Sequence, residues 1–207
     1  MSIRISEERN KIEHINEDVA DAIEHGIYVS NMARYMADEL KLNEEERYNL
    51  IVAGLLHDIG KLKLSGYLYG DENQSVVSQL RHVRTHSRYS YDILKENGYN
   101  QYILQAVLHH HENFDGSGYP DNIRGSNIPY GARVLRVCDV FVALISDRHY
   151  RKAFDVDTAI ELMIDEIKNF DMEIFLAFQR VVHSLDIERD IKKTHINYKD
   201  IRNILVS

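Results

Sequence analysis

Little in this chain would staple it covalently or interrupt it locally. Of its 207 residues one is cysteine (Cys138), two are proline (Pro120 and Pro129) and none is tryptophan. A lone cysteine excludes an intrachain disulfide and a thiolate metal cluster, and the lack of a disulfide framework suits a cytoplasmic protein. No apolar run approaches the roughly 20 residues that span a bilayer, and Met1–Asp18 is too polar and charged for a signal peptide. Positive charge is also scarce: 25 Lys and Arg against 33 Asp and Glu leave a net −8. That balance argues against a nucleic-acid polymer or an anionic membrane as partner. A small phosphorylated ligand stays open, provided that basic residues gather locally.

What is present is helical. The hydrophobic fraction of 44% supports a real core, and the length fits one domain. Breakers are rare outside one stretch, Asn113 to Gly131, which holds both prolines and four of the ten glycines. Elsewhere the apolar spacing is that of helices, so the expected fold is all-α, interrupted by one long loop. A loop of that length inside a domain usually carries function. Helices are expected over about Asn16–Lys41, Glu44–His57, Val76–Glu96, Tyr102–Glu112, Pro129–Ser146, Asp157–Phe170 and Met172–Leu185. A charged tail, read as a loosely docked helix, follows from Asp186.

The polar residues set among apolar ones carry the chemical signal. In Leu55-Leu56-His57-Asp58-Ile59-Gly60-Lys61 an imidazole and a carboxylate adjoin an apolar segment. A buried unpaired carboxylate costs several kcal/mol, and a divalent cation would satisfy both groups. Gly60 is expected to cap the helix, placing Lys61 where a cation could meet a phosphate oxygen. His25 lies on the inward stripe of the first helix, with Asp21 one turn earlier. His82 and His86 stand i, i+4, a spacing that chelates metal on a helix. Of His109, His110 and His111, at most two can share a site. They lead into Asp115-Gly116-Ser117-Gly118-Tyr119-Pro120, whose glycines permit unusual backbone and close approach. Asp139 sits in the apolar run Val134–Phe141, where it must be ion-paired to Arg133 or Arg136 or bound to metal. Arg148, Tyr150, Arg151 and Lys152 form the densest basic patch, either solvated surface or an anion site.

These residues together resemble the HD-GYP domain, a branch of the HD metal-dependent phosphohydrolases whose members hydrolyse cyclic dinucleotides, typically cyclic di-GMP. His57-Asp58-Ile59-Gly60-Lys61 matches the HD motif with its lysine. His110-His111-Glu112, two spacers and Asp115-Gly116-Ser117-Gly118-Tyr119-Pro120 match the naming signature. Asp139–Leu144 and Arg148–Ala153 fit the next two blocks. The resemblance covers about Asp18 to Leu185. It implies a leader over 1–17, an HD-type helical bundle over 18–185 with its Gly/Pro loop at the active site, and a charged extension over 186–207.

The resemblance places metal ligands at His25, His57, Asp58, His86, His110, His111 and Asp139. His86 is preferred to His82 because Ile93-Leu94 follows at the family's distance. Asp21 matches the position of a third-metal acid, where glutamate is usual. Two or three divalent ions, iron or manganese, are therefore expected. The implied reaction is hydrolysis of a small cyclic dinucleotide by water activated between cations. Asp58 would orient that water and Lys61 would neutralise charge developing on the phosphate. Arg148 and Arg151 would clamp the phosphates, and Gly118, Tyr119 and Pro120 would wall the pocket. The chain departs from the family in three places. Leu62–Asp71 lacks the usual prolines, Ser90 replaces a glycine, and Asn169-Phe170-Asp171-Met172 replaces Thr-Phe-Asp-Pro. The first of these bears on substrate choice, so another nucleotide phosphoester, such as a mixed cyclic dinucleotide, is a second reading. A non-catalytic nucleotide-binding domain is a third, disfavoured by the intact ligand set.

Overall fold

Seven α-helices account for most of the described chain. The structure is a computed structural model and describes residues 2–61, 84–148 and 151–193, with side chains from Asp21 onward. The helices are α1 (Ser2–Glu39), α2 (Glu44–Leu56), α3 (His86–Glu96), α4 (Gln101–Leu108), α5 (Tyr130–Ile145), α6 (Val156–Asp165) and α7 (Met172–Ser184). Short 3-10 turns at Gly125–Asn127 and Ile167–Asn169 and a π-type turn at Ile187–Ile191 complete the set. No strand occurs among the described residues; Arg148 and Arg151 form one isolated bridge. The all-α reading with one long loop is borne out. No described helix is long and apolar enough to cross a membrane.

Local chemistry sets the helix starts. Asn43 caps α2 by accepting from the Glu46 amide at 2.9 Å, and Glu46 accepts in return from the Asn43 amide at 3.2 Å. Glu44, Glu45 and Glu46 fill the first turn, where a helix favours negative charge. Asn100, Asp155 and Asp171 cap α4, α6 and α7. Asn100 also donates to the buried Asn49 at 2.8 Å, tying the start of α4 to the middle of α2. α5 is the central element and packs against α1, α2, α4, α6 and α7. Its buried face (Leu135, Cys138, Phe141, Val142) meets Met32 and Met36 of α1 and Phe178 of α7 in one core. Phe141 and Phe178 meet edge to face with centroids 4.9 Å apart.

Several boundaries differ from the sequence expectation. α1 starts at Ser2 rather than near Asn16; the many charged early residues masked the seven-residue spacing of Ile5, Ile12 and Val19. The expected Val76–Glu96 helix is described only from His86, and residues 76–83, with His82, lie outside the described residues. α4 ends at Leu108 rather than Glu112, so the three histidines stand in the turn after it. Gly60 is not a left-handed cap: α2 ends at Leu56 with His57 in a right-handed conformation. Gly60 is needed because a Cβ there would overlap the His86 carbonyl and the Ser90 amide. Leu55 is 43% exposed, so the buried stripe of α2 runs Leu50, Ala53, Gly54 and His57, and the turn beyond α2 buries Asp58. Beyond α7, Ile191 is buried and its carbonyl accepts from Asn31 at 2.8 Å, while residues 194–207 of the expected tail lie outside the described residues.

Candidate metal centre

Five helices and the turns that end them deliver imidazoles and carboxylates to one buried spot. α1 supplies His25, the turn after α2 supplies His57 and Asp58, the start of α3 supplies His86, the turn after α4 supplies His110 and His111, and α5 supplies Asp139. Three overlapping groups have their ligand atoms within 4.8 Å of one another. They are Asp58 with His86, His110 and His111; His25 with His57 and Asp58; and His57 with His110 and Asp139. Together they contain every residue expected as a metal ligand except Asp21.

The two helix-end turns set their histidines alike. His57 Nδ1 faces the Gly54 carbonyl at 2.8 Å, and His110 Nδ1 faces the Val107 carbonyl at 2.6 Å. A carbonyl only accepts, so each Nδ1 carries a hydrogen, and a neutral ring held this way presents its Nε2 lone pair inward. The inward nitrogens then crowd. His86 Nε2 lies 3.0 Å from His111 Nε2 and 3.4 Å from His110 Nε2. Asp58 lies 3.1 Å from His86 and 3.3 Å from His57, and Asp139 accepts from His25 at 2.9 Å.

Crowding of this kind shifts most of these groups. Burial pushes the His25 and His110 rings down and takes His111 to about 3. Burial would do the same to His57, but the Asp58 and Asp139 carboxylates outweigh it and raise that ring to about 10. Burial would raise the two acids; instead His57 and Lys61 hold Asp58, and His25 and His57 hold Asp139, well below the usual carboxylate range. His57 Nε2 and Asp58 Oδ1 are nonetheless sealed from solvent with no hydrogen-bond partner. Orphaned buried atoms inside a ring of inward lone pairs fit divalent cations, and the all N/O donor set suits first-row metals.

The remaining candidates are placed less uniformly. Lys61 Nζ donates to Asp58 Oδ2 at 2.5 Å, at the edge of the cluster. Tyr119 stacks on His111 with centroids 4.7 Å apart and its amide donates to the His111 carbonyl at 3.2 Å, so the Gly118-Tyr119-Pro120 turn walls the site. Gly118 approaches protein backbone rather than an open ligand face, because a Cβ would overlap Glu112 and Asn113. Gly116 does adopt positive φ, at 87°. Asp21 is not brought into the cluster; it lines a separate pocket with Glu24, Tyr28, Ser146, Asp147, Arg148 and the outer side of His25. Arg148 reaches His25 Nδ1 at 3.3 Å. Arg151 points elsewhere: its guanidinium donates to the carbonyls of Ala143, Leu144 and Lys152 and ties off the end of α5. The ion pairs expected as an alternative for Asp139 do not form, since Arg133 bonds Asp171 at 2.5 Å and Arg136 bonds Asn113 at 3.1 Å.

Sequence reasoning missed three supports. Glu112 is buried and accepts the Asp121 amide at 2.7 Å, fastening the loop to the histidine turn. His109 turns away from its neighbours to meet Asp121 at 3.0 Å. Ser90, a departure from the family glycine, accepts the Gly60 amide at 2.8 Å and holds the turn that carries Asp58. Glu112 sat inside the quoted motif and His109 directly before it; Ser90 was noted only as a substitution.

With this geometry in view, the comparisons with known proteins are decisive for the family. An HD domain family model matches residues 7–174. The chain belongs to the HD-domain family. Its relatives include the cyclic di-GMP phosphodiesterase response regulator RpfG of Xanthomonas campestris, 36% identical over 134 residues, which are 64% of this chain and 35% of that protein. The 3'3'-cGAMP-specific phosphodiesterase 3 of Vibrio cholerae is 30% identical over 165 residues, 79% of this chain and 36% of that protein. The chain thus spans about a third of the length of these curated relatives. Among solved structures, the HD domain of Listeria monocytogenes phosphodiesterase PgpH in complex with cyclic-di-AMP matches with a TM-score of 0.57 at 17% identity. That match covers 86% of this chain and 94% of the PgpH chain, and it shows a shared fold. HD-domain phosphohydrolases are metal-dependent, and this chain has a His/Asp cluster that could bind metal.

Proposed function

We propose that this protein is a metal-dependent phosphodiesterase that hydrolyses a small cyclic dinucleotide, with cyclic di-GMP the best-supported substrate, to the linear dinucleotide and on to GMP. The observation that carries the reading is the single buried cluster in which five histidines and two aspartates converge with orphaned lone pairs. His25, His57, Asp58, His86, His110, His111 and Asp139 would hold two divalent ions, iron or manganese. Such ions supply an activated water and a clamp on the phosphate. The chain's own groups do the rest. Asp58, kept ionised by His57 and Lys61, can accept a hydrogen bond from the attacking water and orient it. Lys61 Nζ, beside Asp58 Oδ2, can donate to a non-bridging phosphate oxygen as charge grows there. His57 and His110 keep their rings fixed through backbone carbonyls. Tyr119 presses on His111 and closes one side of the site. Arg148 joins the phosphate contacts. Asp21, in its separate pocket, would not complete a third site. The relatives' shared substrate class and the acidic charge support a cytoplasmic signalling enzyme centred on residues 18–185.

A 3'3'-cGAMP substrate is the second reading, favoured by the relative from Vibrio cholerae specific for that nucleotide and by the departures in Leu62–Asp71. Anaerobic purification, metal quantification and product analysis with cyclic di-GMP and 3'3'-cGAMP test both. Two bound iron or manganese ions and conversion of cyclic di-GMP support the main reading; conversion of 3'3'-cGAMP alone replaces it with the second. Protein that Asp58→Ala leaves both loaded and active would remove the assignment.

A further inference from the structure

Of the arginines around the metal cluster and the signature loop, the four on or after α5 are committed to different degrees. Arg133 is spent on the Ile128 carbonyl at 3.0 Å and on Asp171 at 2.5 Å. Arg151 is spent on three backbone carbonyls. Arg148 rests on His25. Arg136 is different. It lies on α5 one turn before Asp139, and only its Nε is used, donating to Asn113 Oδ1 at 3.1 Å. Asn113 is the first residue of the long loop, two beyond His111. No ion pair or further hydrogen bond engages the Arg136 guanidinium among the described residues. The residue is half-buried, and burial pulls its guanidinium below the usual range while its terminal amino groups have no partner among the described residues.

The position of this spare fork matters. Its charge acts on His111 and Tyr119, and the carboxylate it feels most is Asp139. A loaded cluster turns Asp139 toward cations and leaves Arg136 as a half-desolvated positive charge beside further positive charge. Such an arrangement is unfavourable unless an anion sits between. A planar fork held by its Nε and open at both amino groups matches two oxygens of one phosphate.

We propose that Arg136 is a substrate-binding residue of this site, taking a phosphate oxygen of the nucleotide through its free amino groups on the Tyr119 side of the cluster. The inference rests on the phosphodiester reading above and adds a contact that none of the quoted motifs contains. Arg136 binds the substrate phosphate from α5 while Lys61 meets it from the turn after α2.

The test uses the full metal-loaded chain and the variants Arg136→Ala, Arg136→Lys and Asn113→Ala. Three readouts are needed: KM and kcat for cyclic di-GMP, inhibition by inorganic phosphate, and metal content. Arg136→Ala is expected to raise KM and the phosphate inhibition constant by about tenfold to a hundredfold, the loss of a charge-assisted hydrogen bond pair, with metal content unchanged. Arg136→Lys, which keeps the charge and serves if the alanine variant does not fold, should recover part of the loss. Asn113→Ala, which removes only the tether, should cost less than Arg136→Ala. Unchanged KM and phosphate inhibition in Arg136→Ala overturn the inference, as does an Asn113→Ala loss equal to that of Arg136→Ala with no recovery in Arg136→Lys. If the wild-type protein turns over no nucleotide, the phosphodiester reading falls instead. Phosphate binding followed by titration calorimetry on the loaded protein then decides the role of Arg136, supporting it if Arg136→Ala abolishes binding and overturning it if binding persists.

Discussion

The histidines that end helices and the histidine in the middle of one are prepared for metal differently. His57 and His110 follow α2 and α4 and turn Nδ1 onto the carbonyl three residues back. The helix end itself supplies the acceptor, because its last carbonyls lack intrahelical partners. Each ring is therefore fixed with Nε2 aimed inward, bare once the ring is neutral. His25, within α1, has no such carbonyl. Its Nδ1 meets Arg148, which can only donate, and its Nε2 meets Asp139, which can only accept. Those partners place the hydrogen on Nε2, the reverse of the other two rings. A helix terminus thus makes a ready ligand from sequence-local parts, whereas a mid-helix histidine depends on what the tertiary structure sets beside it.

Removing one ring of each kind is the strongest way to break this comparison. His110→Ala should lower metal affinity by well over a hundredfold, and His25→Ala by clearly less, measured by competition with a chelator of known affinity. Equal losses would show that preorganisation of the helix-end rings contributes nothing. Acidity separates the groups next. In the metal-free chain His25, His110 and His111 titrate below the ordinary 6.5, His111 at about 3. Between pH 6.5 and 3 the unfolded chain binds protons that the folded chain refuses. Stability therefore falls as pH drops, by about 1.4 kcal/mol per pH unit for each such histidine. His57, raised to about 10, is protonated in both states across that window and adds no slope there. Its contribution is present below pH 6.5 and is lost as pH rises through about 10. Asp58 and Asp139, both lowered, add their loss only below the usual carboxylate range. Urea midpoints of the metal-free protein should rise from about pH 5 to 6.5 and fall again above 6.5, where only His57 contributes a slope.

Two smaller effects sharpen the picture. Gly60→Ala should cost about 1–3 kcal/mol of stability, since the new methyl meets the His86 and Ser90 backbone rather than a side chain that could yield; thermal unfolding reads it. Arg148→Ala frees His25 Nδ1 to carry its own hydrogen, so metal affinity should improve severalfold even as the proposed phosphate contact is lost. Weaker metal binding in that variant would show that Arg148 supports the ring rather than holding the wrong tautomer.

Much of this centre could be read from residue order because its parts are local. His57-Asp58 at a helix end, the histidine run before a glycine-bearing loop and an acid inside the apolar stripe of α5 each stand out as costly unless paired. What escaped reading depends on long-range packing. Nothing near Gly60 announces that His86 and Ser90 would press on it from α3. Arg151 looked like a free cation because its carbonyl partners have no sequence signature. The helical register also misled, since three histidines continued the apolar spacing of α4 but stepped out of it at Leu108.

The fastening of the signature loop has a consequence for access. Gly118 lies flush on the backbone at Glu112 and Asn113, the Tyr119 amide is tied to the His111 carbonyl, and the Asp121 amide to Glu112. Wall and ligand turn are one casting, so this stretch cannot swing aside without dragging His111 with it. A molecule bound against this stretch would therefore meet a wall whose position is tied to that of the ligand turn.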